Sequence, residues 1–115
     1  MTNLKLLGIA LIQYAQEYDE TYPPMQNLEV FRKAILPYVK DDKLFSQPKN
    51  QKPYLINPEL SGKSFIKIKN PTTFVALYEA EVGSDGKRGV AFADGHVKRV
   101  RPIEWTKIKK DSRIK

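Results

Sequence analysis

Cysteine is missing from all 115 residues, and histidine and tryptophan occur once each. Without a thiol there is no disulfide, no thiolate nucleophile and no zinc-thiolate centre, and a lone histidine does not make a transition-metal site. Compartment stays open, since a cysteine-free chain suits either redox environment. Acidic residues are also scarce. Thirteen stand against 20 Lys and Arg, for a formal net charge of +7, which makes nucleic acid, an acidic protein surface or lipid headgroups plausible partners. Repeats and low-complexity tracts are absent. So is an apolar run of the ~20 residues needed to cross a bilayer, and no signal-peptide pattern opens the sequence.

What is present is the make-up of one folded domain, residues 1–115, 41% apolar and 10% aromatic. The pattern predicts an α+β fold: an N-terminal amphipathic helix packed on a small antiparallel sheet that ends in a β-hairpin. The hairpin is written in Lys87 to Arg101, where Gly89 to Ala93 and His96 to Val100 flank Asp94-Gly95. Asp-Gly suits the two positive φ values of a type I′ turn. A two-residue loop would set Ala93 opposite His96, Phe92 opposite Val97, Ala91 opposite Lys98 and Val90 opposite Arg99, gathering Val90, Phe92 and Val97 on one face. That face needs a cover, because an isolated hairpin is marginal in water. The N-terminal helix is the expected one.

Asn3 to Glu20 carries Leu4, Leu7, Leu11, Tyr14, Ala15 and Tyr18 at helical spacing. In its first half Leu4, Leu6, Leu7, Ile9, Leu11 and Ile12 surround the axis, broken only by Lys5 and Gly8. A helix apolar all round has to be buried all round. Residues 1–20 are therefore expected either to lie sandwiched within the domain or to be the lower part of a longer helix buried among neighbouring subunits. Met1-Thr2 standing before a helix already in mid-pattern favours the second. Asp19 and Glu20 would sit on the last turn, against the helix dipole.

Residues 21–71 are expected to hold loops and a short second helix from an Asn27 cap to Tyr38, with Leu28, Phe31 and Ile35 inward. Ser64 to Lys69 fits either a strand or one irregular turn. Residues 72–101 make the sheet, with Thr72 to Tyr78 placed beside Gly89 to Ala93. Residues 102–115 form a basic, solvated C-terminal tail, in which Ile103, Trp105 and Ile108 can pack back onto the domain.

The chemistry is sparse. His96 follows a turn and lacks a nucleophile to activate, so its role is structural, with Asp94 and Gly95 serving turn geometry. Glu79, Glu81 and Asp85 lie close in the sequence and with backbone carbonyls could ligate calcium, which favours several oxygen ligands in a flexible loop; no other cofactor is implied. Lys98, Arg99 and Arg101, on or after a β-ribbon, could contact an anion, and a basic nucleic-acid-binding module is the alternative reading of the whole chain. No recognition motif accompanies that charge.

The order of elements resembles one family. Asn3 to Leu11, the Tyr14-to-Asp19 stretch, Tyr22-Pro23-Pro24, Leu36 to Lys40, Phe45 to Pro48 and the Phe92-Ala93-Asp94-Gly95-His96-Val97 hairpin followed by Trp105 are together similar to type IV pilin-like proteins. The nearest likeness is to the pseudopilins of type II secretion, and it spans nearly the whole chain. Relatives commonly have Cys-Pro where Gln47-Pro48 stands here, and many carry a histidine where Ser84 is. The resemblance implies a non-enzymatic subunit of a filament used in protein secretion, pilus assembly or DNA uptake. It also implies an inner-membrane anchor upstream of the sequence, a head domain outside the cytoplasm, and contacts to other pilin-like subunits through the N-terminal helix. Major pseudopilins hold calcium in their C-terminal loops, which adds to the interest of the carboxylates.

Overall fold

The computed structural model describes residues 2–114. Helix α1 spans Thr2–Glu17 and stops three residues before the expected limit. Asp19 and Glu20 adopt φ of 61° and 55°, so neither sits on the helix. The reason lies in a later loop. Glu20 O accepts from Phe65 N at 2.9 Å, and Tyr22 N donates to Lys63 O at 2.8 Å, pulling the backbone out of the helix to pair with residues 63–65.

Helix α2, Leu28–Val39, begins as the sequence indicates: the Asn27 side chain accepts from Val30 N at 2.9 Å, and Phe31 and Ile35 are fully buried. It ends at Lys40 in the left-handed conformation. The sheet is an antiparallel meander in the order β1 (Leu55–Ile56), β2 (Val75–Tyr78), β3 (Arg88–Phe92), β4 (Val97–Val100). Ser64 to Lys69 is the irregular alternative, a 3-10 turn at Phe65–Lys67. The α+β class and the helix-on-sheet packing are as expected.

The hairpin register is not. Ala91 pairs with Val97, Val90 with Lys98 and Gly89 with Arg99, one residue away from the expected pairing. Gly95 N donates to Phe92 O at 2.8 Å and Phe92 N to His96 O at 2.9 Å, so the loop is Ala93-Asp94-Gly95, three residues long. Gly95 has the positive φ of 91° and Asp94 does not, which is a three-residue hairpin loop with its left-handed residue last. A one-residue slip exchanges the faces of a strand. Ala91, Ala93 and Val97 therefore face α1 in one core with Leu4, Leu7, Leu11 and Leu77. Val90, Phe92 and Val100 face the other way, with Val75, Tyr78, Trp105 and Ile108.

That second face is covered by α3, Pro102–Asp111. The expected tail is thus a helix. Trp105 and Ile108 do pack back, but Ile103 stays 81% exposed. The end of α3 is fixed by buried polar bonds: Val75 N donates to Ser112 Oγ at 2.8 Å, and Asn57 Nδ2 donates to both Val75 O and Ser112 O at 2.9 Å.

Tyr22 links the exit of α1 to the hairpin, donating from its hydroxyl to Ala93 O at 2.9 Å. Burial, with the Asp94 carboxylate adding to it, pushes this hydroxyl up to about 12; burial and then Glu79 push Tyr54 up to about 12. A folded pKa above the unfolded value of about 10 contributes stability that is complete below pH ~10 and disappears as pH rises through the folded value. Denaturant unfolding measured against pH should therefore show stability falling between pH ~10 and ~12, less steeply in Tyr22→Phe.

Candidate functional site

The N-terminal helix is positioned by two devices. Leu4, Leu7, Leu11 and Ala15 recur on one stripe and are fully buried against the domain, each leucine contributing about 2 kcal/mol of apolar burial. Between them Gly8 touches the hairpin loop. A Cβ placed on Gly8 would stand 2.4 Å from Gly95 O, and one on Gly95 would stand 2.7 Å from Ile12 Cγ1 and 3.0 Å from Gly8 O. Two glycines thus bring the helix and hairpin backbones into direct contact.

The six apolar residues that the sequence placed around the axis are divided by this packing. Leu4, Leu7 and Leu11 belong to the domain's own core, and Ile12 is half-buried beside Gly95. Leu6 and Ile9 remain 41% and 46% exposed. Being three apart, they are neighbours on the outer surface of α1. Among the described residues, no helix is long and apolar enough to cross a membrane.

At the hairpin tip Asp94 Oδ1 accepts from His96 N at 3.1 Å and meets His96 Nδ1, while the His96 ring stacks on Phe92 with centroids 4.6 Å apart. These contacts shape the loop.

Of the carboxylates considered for calcium, Glu79 and Asp85 meet at Arg99 while Glu81 is paired elsewhere, and among the described residues no group of three or more His, Cys, Asp or Glu side chains is placed to hold a metal ion. Glu79 is nearly buried, its Oε1 accepting from Gly89 N at 2.6 Å and from Arg99 Nη1 at 3.4 Å. Asp85 takes both Nε and Nη2 of Arg99 at 2.9 Å. Glu81 instead binds Lys52 and, at 3.5 Å, Asn50. Each of the three carboxylates thus has a basic side chain on at least one oxygen.

The same geometry corrects the anion-contact trio. Arg99 points into the Glu79–Asp85 cluster and also donates to Lys87 O at 3.0 Å. Lys98, the next residue on the strand and so on the opposite face, pairs with Glu104 of α3 at 3.2 Å. Arg101 N also donates to Glu104, at 3.3 Å. Lys98 and Arg101 thus meet at Glu104, while Arg99 is turned away from them into the carboxylate cluster. The sequence held no local signal for this, because Glu79 and Asp85 reach Arg99 only through the fold.

Arg99 holds the Asp85 carboxyl well below the usual carboxylate range, helped by Lys87 N; Lys52 lowers Glu81, and the Arg101 backbone followed by Lys98 lowers Glu104. Folded pKa values below the unfolded ~4 contribute stability that is complete above that value and is lost as pH falls through it toward the folded one. The urea midpoint should drop on acidification below pH ~4, and the acid branch should be shallower in Asp85→Asn. An acid branch identical in the variant would remove Asp85 from the account.

Comparison with known proteins gives no identification: no family model, no curated protein and no solved structure matches this chain.

Proposed function

We propose that the chain is the head domain of a non-enzymatic, pilin-like subunit, anchored in the inner membrane with this domain outside the cytoplasm, and assembling with other pilin-like subunits through α1 in a filament for secretion or pilus assembly. One observation carries the reading. On a helix otherwise fixed to its domain by Leu4, Leu7, Gly8 and Leu11, the neighbouring Leu6 and Ile9 stay 41% and 46% exposed, and a pair of branched apolar side chains on an outer helix face suits packing against another helix. The resemblance of the Phe92-to-Val97 hairpin and of the α1 sequence to pseudopilins adds support.

The test is Leu6→Glu with Ile9→Glu in the full-length protein. Both side chains are exposed, so the domain should keep its melting behaviour, with a stability change of about 0.5 kcal/mol or less. Recovery in filament or membrane-complex fractions should be lost. Normal assembly by the double variant would overturn the reading.

A further inference from the structure

Lys67, Lys69 and Arg113 make no ion pair among the described residues, in contrast to Lys98, Arg99 and Arg101. All three line one hollow of about 510 Å³, together with Lys63, Asn70 and Phe74; Asp111 is the acid on its wall, and Lys63 is held by Glu59 at 3.5 Å. Directly before Lys67 comes the most exposed large apolar residue described, Ile66, at 84%. It stands on the 3-10 turn Phe65–Lys67, and Phe65 beneath it packs on Tyr22 with ring centroids 4.7 Å apart. The apolar tip is thus held out by a neighbour rooted in the core, with cations on both sides in the sequence.

An exposed isoleucine followed directly by the unpaired Lys67 and then Lys69 is the chemistry of interfacial docking, where an apolar group enters the acyl boundary and basic groups face anionic headgroups. We propose that the 63–69 loop, with Arg113, docks on an anionic lipid surface. Ile66 enters the interface while Lys67, Lys69 and Arg113 face the headgroup phosphates. A nucleic-acid backbone would satisfy the same cations but leave Ile66 in water. The one tryptophan is also poorly placed for base stacking, since Tyr78 packs on it at 4.9 Å and Arg88 lies over it at 5.2 Å. This surface uses no residue of α1, so it stands apart from the assembly reading.

The experiment is co-sedimentation of the full chain with phosphatidylcholine vesicles, with and without phosphatidylglycerol. Binding should require phosphatidylglycerol and weaken at high salt. Ile66→Ser should reduce partitioning about tenfold, and Lys67→Ala and Lys69→Ala about fivefold each. All three positions are exposed, so circular dichroism and melting should match the wild type. Equal partitioning to both vesicle types, or undiminished partitioning of Ile66→Ser, would overturn the proposal. Retention of a single-stranded oligonucleotide without vesicle binding would overturn it in favour of nucleic acid. Either failure leaves the α1 reading standing, because the variants lie outside that helix.

Discussion

Asn57→Ala is expected to lower the unfolding free energy by about 4 kcal/mol, through buried groups left without partners and a cavity left behind. Asn57 is fully buried. Its Nδ2 donates to Val75 O and Ser112 O at 2.9 Å, and its Oδ1 accepts from Glu59 N at 3.1 Å. One side chain therefore ties the 3-10 turn after β1 to the start of β2 and to the end of α3. Alanine would leave two carbonyls and an amide unpaired, each costing about 1–3 kcal/mol when buried. Asn57→Asp keeps the volume and the Glu59 bond but replaces the donor with an acceptor facing two carbonyls, so it should be no better than alanine. Urea unfolding measures the loss, and amide exchange should speed up across residues 108–114. A change below about 1 kcal/mol would show that the C-terminal segment is held without Asn57.

Gly8→Ala is expected to cost about 3 kcal/mol, against the gain of up to ~1 kcal/mol that alanine brings to an ordinary helix interior. The new Cβ would lie 2.4 Å from Gly95 O. That obstacle is backbone, so either the hairpin loop or α1 must move. Retreat of α1 would loosen the contact of Leu7 and Leu11 with Ala91 and Ala93 in the shared core. Gly8→Ser should behave alike, while Lys5→Ala, on the exposed side of the same helix, should leave stability within about 0.5 kcal/mol. A Gly8→Ala protein as stable as the wild type would mean that the close approach of helix and hairpin is not part of the native packing.

Much of this frame was legible in the sequence. The spacing of Leu4, Leu7, Leu11 and Ala15 marks the buried stripe of α1, Asn27 caps α2, and Asp94-Gly95 marks the hairpin. The loop length was not legible from Asp-Gly alone, because that dipeptide serves both a two-residue loop and the end of a three-residue one. What the neighbours do indicate is which face a helix can approach: Gly89, Ala91, Ala93 and Gly95 are small at every second position, while Val90 and Phe92 are large. A helix bearing Gly8 can approach the small face closely, and the bulky face is left to Trp105 and Ile108. Gly8 itself read as a gap in an apolar ring, since the partner that requires it lies 87 residues away.

The site was less legible than the fold. Leu6 and Ile9 look like Leu4 and Leu7 in composition, and only the sheet's position separates inner from outer residues. Charge was harder still. Arg99 seemed part of a basic ribbon with Lys98 and Arg101, yet strand alternation and the distant Asp85 and Glu79 turn it inward. Lys67, Lys69 and Arg113 come together only when the C-terminal segment is pinned beside the 63–74 loop.

The most direct measurement is photo-cross-linking in the native host with a benzophenone amino acid placed at Ile9 and, as a control, at the exposed Lys33 of α2. If the outer surface of α1 is an assembly surface, position 9 should yield adducts whose cross-linked peptides come from other pilin-like subunits, and position 33 should not. Adducts at position 9 no more frequent than at position 33, or drawn only from the same molecule, would contradict the account.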